Sequence, residues 1–177
     1  METFDAIKAR RKVEKYDGVA IPDDVLEQIL EAGRRSPSSR NQQRWTFVLV
    51  KDRDTLEKLS HVWRGAAHIA EAAAAVAVAA PPAEDPKSIA SINFDLGQAM
   101  MSMQIAATDL GVGTRHASVE DWDLGAEILG LPEEWRLSWM IGLGYPADRP
   151  ISPIEKPNRK SFDEVVHWNR WGGKRSR

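Results

Sequence analysis

Cysteine is absent from the 177 residues, which excludes disulfides, thiolate catalysis, iron–sulfur clusters and cysteine zinc sites. Long hydrophobic runs are missing too. The most apolar stretch, Ala72–Pro82, is too short to cross a bilayer as a helix. Neither charge sign prevails: 24 Lys and Arg face 26 Asp and Glu, a net charge of −2 that leaves no basic footprint for nucleic acid. Histidine is scarce. His61, His68, His116 and His167 form no ligand spacing such as H-E-x-x-H, so no metal centre is expected. The opening residues, Met1–Asp5, lack the apolar core of a signal peptide. A soluble, cytoplasmic protein with neither membrane nor nucleic-acid partner is the expectation.

What is present is an ordinary globular composition, 42% hydrophobic and 28% charged, in a length that suits one domain over residues 1–177. Phe4 and Ile7 mark a short opening helix that ends near Arg10-Arg11-Lys12. A second helix starts at Pro22, with Asp23 and Asp24 complementing its dipole, Val25, Leu26, Ile29 and Leu30 on its buried face, and Gly33 as its C-cap. Ser36–Asn41 reads as an ordered loop, and Trp45–Val50 as a strand. Asp54 with Glu57 suggests a capping box for a helix through about Trp63. In Glu71–Ala80 alanine favours a helix, but Val76 and Val78 alternate; a buried strand of small residues is the preferred reading.

From Lys87 to Leu110 apolar residues recur at three- and four-residue steps, as in a long buried helix closed by Gly111 and Gly113. A short helix at Leu124–Leu129, a third strand at Ser138–Leu143 and a final helix near Phe162–Trp168 complete an α+β pattern without repeats. Between the last two lies an arm containing Pro146, Pro150, Pro153 and Pro157, followed by Trp168 and Trp171. Such a segment cannot form a core of its own. It either exchanges between the subunits of a homodimer, burying the tryptophans there, or lies along its own surface. The tail Lys174–Arg177 is expected to be solvated.

Three separated segments suit one binding site. Arg10-Arg11-Lys12 can wrap a terminal phosphate, or be a solvated basic surface. Pro37–Gln43 offers hydroxyls, an amide and backbone N–H groups to the edge of a heteroaromatic ring, or satisfies only its own backbone. Gly111–Val119 has two glycines that allow close backbone approach, yet it is not a dinucleotide fingerprint, since His116 stands at the last glycine position and a helix precedes it.

Across nearly its whole length the chain resembles the nitroreductase family of FMN-dependent oxidoreductases. The likeness rests on Arg10-Arg11-Lys12-Val13 with Tyr16, on Ser36–Trp45, on Asp95-Leu96-Gly97-Gln98-Ala99 and on Gly111-Val112-Gly113-Thr114. It continues through Leu129-Gly130-Leu131-Pro132, Gly142–Pro146, and Arg159-Lys160 ahead of Glu164-Val165-Val166. The resemblance implies a three-layer fold, a central mixed or antiparallel sheet flanked by helices, with a C-terminal arm exchanged in a homodimer. It implies FMN as cofactor and NAD(P)H as co-substrate, with ping-pong transfer to a nitroaromatic, a quinone or a similar electron-poor acceptor.

By the same resemblance Arg10, Arg11 and Lys12 hold the FMN phosphate, and Arg159 closes over it. Ser38, Ser39 and Asn41 reach the ribityl chain and ring edge from the partner subunit. His116, Ala117, Ser118 and Val119 lie over one ring face, with a backbone N–H near Ser118 or Val119 directed at N5. His68 is either a surface histidine or a neighbour of the ring's N1/O2 edge. Met100, Met101 and Met103 read as core and dimer contact. No side chain has to act as a nucleophile. Lys12, Arg44 and Arg115-His116 depart from the family's usual residues, and the last pair could shape or block the acceptor site. A flavin-binding or regulatory protein with little turnover, a dehalogenase and an enoate-type reductase are the alternatives.

Overall fold

The computed structural model describes residues 1–175; Ser176 and Arg177, the end of the tail expected to be solvated, lie outside the described residues. Four strands form one antiparallel sheet in the order β1-β2-β4-β3. They are β1 (Thr46–Val50), β2 (Ala74–Ala80), β3 (Gly113–Ser118) and β4 (Arg136–Gly144). The helices are α1 (Thr3–Ala9), α2 (Asp23–Arg34), α3 (Arg53–Leu59), α4 (His68–Glu71), α5 (Pro86–Asp109), α6 (Trp122–Leu129) and α7 (Phe162–Val165).

The sheet is the middle of three layers. On one face Ala74, Val76, Val78, Ile141 and Leu143 pack with Leu26 and Ile29 of α2 and Leu96, Met100 and Met103 of α5. On the other Ala75, Ala77, Ala117, Leu137 and Met140 meet Leu56 and Leu59 of α3 and Ile69 of α4. This resolves the alanine-rich run. All seven residues of β2 are buried, so the strand is apolar on both faces, and alanines let helices approach from both sides.

Capping explains two differences from the expected elements. Asp52, not Asp54, caps α3, its carboxylate accepting from the Thr55 N–H at 2.9 Å, while Asp54 sits in the first turn. Gly33 is not a C-cap but an interior, buried residue of α2, where a Cβ would fall 2.8 Å from Met103 Cγ. It is glycine because α2 and α5 approach closely there. Gly130, at φ +61°, does cap α6 as expected.

Strand β3 was not expected as a strand. Gly-Thr-Arg-His-Ala-Ser has few bulky β-formers, and β3 lies at the edge of the sheet, where pairing to β4 compensates for weak propensity. The segment after α1 runs beside it: Lys12 bridges Thr114 in parallel, and the Val13 N–H donates to the Thr114 carbonyl at 3.1 Å. That contact brings the basic triplet to the strand.

The arm first follows its own chain. The Ala147 N–H donates to the Lys15 carbonyl, the Ile154 N–H to the Lys8 carbonyl, and Arg11 grips Asp148. Further on, Phe162, Val165 and Trp171 are exposed, Trp171 to 90%.

Candidate functional site

The end of α1, the outer edge of β3 and the second half of α5 enclose a cleft of about 370 Å³. Arg10 and Lys12 line it because the Lys12–Thr114 bridge sets them against β3. Thr114, His116 and Ser118 line it from alternate positions of that strand. The side chain of Ala117 is packed in the core instead. Val119 does not touch this cleft but lines an adjoining one of about 310 Å³ that shares Ser118 and Trp139 with it.

Arg115 also lines the cleft, and with Lys12 it meets Glu14: Lys12 Nζ lies 2.6 Å and Arg115 Nη1 2.8 Å from that carboxylate. The hydrogen bond from Lys12, aided by the charge of Arg115, holds the Glu14 carboxyl below its ordinary range. Glu14 itself does not line the cleft, whose walls contain no carboxylate. Guanidinium, ammonium, amide and hydroxyl groups suit a phosphate and the polar edge of a ring, with Glu14 outside the walls competing for Lys12 and Arg115 and leaving Arg10 free of any carboxylate among the described residues. The residues present therefore fit FMN.

Arg11 is turned elsewhere. Its guanidinium is bidentate on Asp148, at 3.0 and 2.6 Å, and donates to the Arg149 carbonyl at 2.9 Å, so it ties the arm down. Arg159 is exposed and donates to the carbonyl of its neighbour Asn158. Neither lines the cleft.

Ser38, Ser39 and Asn41 are also apart from it, on a 3₁₀ turn at the first half of α5. Arg40, Asn41 and Gln43 all have positive φ, between 50° and 56°, an unusual concentration for residues other than glycine. Asp95, only 1% exposed, holds this turn: one carboxylate oxygen accepts from the Ser39 N–H and hydroxyl, both at 3.0 Å, and the other faces Arg44 at 3.5 Å. The buried Asp95 anchor offsets the backbone strain of these positive-φ residues.

His68 is a buried residue rather than a surface one. It lies behind β3, with Nε2 3.1 Å from the Arg115 carbonyl oxygen. Burial pushes its pKa down to about 4. Beside it the Tyr16 hydroxyl donates to the Gly142 carbonyl at 3.2 Å, and burial raises the phenol's pKa.

The sequence reading missed Gln104, Trp63, Gly65 and Trp139, all of which line the cleft. Gln104 Oε1 accepts from Arg10 at 3.4 Å and from Thr114 at 3.5 Å. A glutamine on the buried stripe of a long apolar helix, between Met103 and Ala107, was the available signal, as was Asp95 on the same helix.

Comparisons with known proteins identify the family and the fold. The sequence model of the Nitroreductase family matches residues 7–82 and 60–145. A protein of Archaeoglobus fulgidus, provisionally named NADH dehydrogenase/NAD(P)H nitroreductase, is 32% identical over 96% of this chain and 99% of its own length. The FMN reductase [NAD(P)H] of Bacillus subtilis is 26% identical over 95% of this chain and 75% of its own. Among solved structures, an FMN-dependent nitroreductase of Clostridium difficile superposes with a TM-score of 0.81 at 24% identity, covering 94% of this chain and 99% of that one. The chain belongs to the nitroreductase family.

Proposed function

We propose that this protein is an FMN-dependent oxidoreductase that passes electrons from NAD(P)H to a small electron-poor acceptor, a nitroaromatic or a quinone. The observation that carries the reading is the cleft in which Arg10, Lys12 and Arg115 converge on the edge of β3, three cations against the single carboxylate of Glu14 behind them. Its relatives' names, FMN reductase and NADPH-flavin oxidoreductase, support the same cofactor and donor.

When bound, FMN supplies reversible two-electron chemistry, loaded by NAD(P)H and discharged to the acceptor in a ping-pong sequence. The protein's part is to bind and orient. Arg10 and Lys12 neutralise the phosphate, and Gln104, held by Arg10 and Thr114, presents its amide. His116 and Ser118 line the ring's place, and a backbone N–H at Ser118 or Val119 stabilises charge that builds there on reduction. His68 steadies β3 from behind. Arg11 shapes the same corner through the arm, and Arg159 closes over the phosphate.

Ser38, Ser39 and Asn41 serve the cleft of the second subunit of a homodimer. Exposed Phe4 and Ile7 on α1, Phe94 and Met101 on α5, and Phe162 and Trp171 beyond the arm support that assembly, since each leaves apolar surface in water. Met100 and Met103 are core. Among the described residues no helix is long and apolar enough to cross a membrane and no metal-holding cluster occurs, and a cytoplasmic location is proposed.

The purified protein is expected to be yellow, and anaerobic NADH or NADPH to bleach the flavin band. Bound flavin that neither nucleotide reduces would instead favour a flavin-binding protein with little turnover, in which His116, exposed at the cleft and edge-on to Trp139, bars access. A colourless protein that ignores added FMN would exclude both.

A further inference from the structure

The adjoining cleft, of about 310 Å³, lies past Ser118 and Trp139, between the end of β2, the start of α5 and the start of α6. Its walls are mostly apolar: Pro81 and Pro82, Ile89 and Ile92, Val119, Trp122 and Trp139. Arg136 is the one ionisable side chain among them. Its guanidinium carbon stands 4.3 Å from the centroid of the Trp122 ring. Stacking there fixes the orientation of the fork while leaving its N–H groups free at the edge. Arg136 is exposed, and among the described residues no carboxylate comes within 4.0 Å of it, so no acid competes for its guanidinium beside Asn93, Ser118 and Ser138, the polar residues of the cleft. Trp122 remains 47% exposed even with Arg136 over its ring.

An apolar slot with aromatic walls takes a planar molecule, and a lone oriented guanidinium selects a carboxylate or similar anion on it. Because this slot shares Ser118 and Trp139 with the cleft assigned to FMN, we propose that it is the acceptor chamber and that its preferred acceptors are planar aromatic anions paired with Arg136. The inference rests on the oxidoreductase reading above and names its substrate class.

Two probes of equal shape test it. Benzoate and benzamide undergo no redox chemistry, so calorimetric titration of the oxidised, FMN-supplemented protein reads binding alone. Benzoate should bind about tenfold or more tightly than benzamide, the scale of a hydrogen bond to a charged group. Arg136→Gln should remove that preference and leave benzamide within about twofold, while Arg136→Lys, which keeps the charge but not the planar fork, should restore part of it. In turnover, 4-nitrobenzoate should surpass 4-nitrobenzamide in kcat/KM, each nitro group taking up two electrons that originate in NAD(P)H, with two protons, to give the nitroso product and water. Arg136→Gln should level the two.

Equal affinity for benzoate and benzamide in the unaltered protein overturns the proposal. So does loss of both probes in both variants, which would make Arg136 structural. A rise in KM for NADPH alone in Arg136→Gln would give the anion to the nucleotide's phosphate and overturn it too. Benzoate held through Arg136 on a protein whose flavin NAD(P)H cannot bleach would leave this site standing and sink the oxidoreductase reading instead.

Discussion

The imidazole Nε2 of His68 lies 3.1 Å from the carbonyl oxygen of Arg115, in the strand that lines the cleft. A carbonyl only accepts, so Nε2 carries the proton. Nδ1, buried and without a hydrogen-bond partner, is then the bare nitrogen of a neutral ring. A second proton would have to enter at Nδ1, where the backbone of Gly65 offers too little to offset the cost of burial.

That arrangement predicts a pH dependence of stability. The folded-state pKa, about 4, lies below the ordinary value of 6.5, so below pH 6.5 the unfolded chain takes up a proton that the folded one refuses. The contribution of His68 is intact above pH 6.5, declines as the pH falls through the window from 6.5 to 4, and is lost by roughly 3 kcal/mol at the bottom of it. Urea midpoints between pH 4 and 7 should show the decline, and His68→Gln should flatten it. A variant with an unchanged slope would assign the dependence to other groups.

Arg10 and Arg11 are neighbours with different employment. Arg10→Ala should weaken FMN binding by about 1.5–3 kcal/mol, as for a hydrogen bond to a charged group. Arg11→Ala should affect FMN less and the arm more, because its partners are Asp148 and Arg149. Fluorometric FMN titration and hydrogen exchange at residues 147–154 distinguish the two; identical FMN losses in both variants would mean that Arg11 leaves Asp148 for the phosphate.

Asp95 anchors a loop that has positive φ at three residues. Asp95→Ala orphans the Ser39 donors and should cost about 1–3 kcal/mol of stability. Exchange at the Ser39 amide should quicken at the same time. If Ser38, Ser39 and Asn41 serve the partner's cleft, FMN affinity should fall as well, although Asp95 does not line the cleft. Unaltered FMN affinity with a loosened loop would remove that loop from the cofactor site.

Gly113 opens β3 because a Cβ there would fall 2.5 Å from Val13 Cγ2 and 3.0 Å from the Gly144 carbonyl oxygen. Gly113→Ala should therefore destabilise the fold by about 1–3 kcal/mol through overpacking. Since Val13 follows the basic triplet, its displacement should also shift Lys12 and weaken FMN binding. Thermal melts with and without FMN would reveal both effects, and a melt unchanged from the parent protein would contradict the close packing.

Much of the architecture is local in origin and was legible. The three- and four-residue stripe of α5, the glycine that ends α6, the proline that opens α2 and the β-branched run of β1 each act within a few residues, so their physics is written in the sequence. The absence of cysteine and the balanced charge bounded the chemistry, and ordered motifs pointed to the family. Contacts across the chain were not legible. Gly33 looks like a cap until Met103 is placed against it, and β3 looks like a loop until β4 and Lys12 pair with it. Arg10 and Arg11 are chemically identical in sequence; only the tertiary fold, in which α5 brings Gln104 to Arg10 and the arm brings Asp148 to Arg11, separates their roles. Likewise Trp122 and Arg136 become one ligand-binding wall only when α6 folds over the start of β4, because the stacking energy between them exists at 4.3 Å and nowhere along the extended chain.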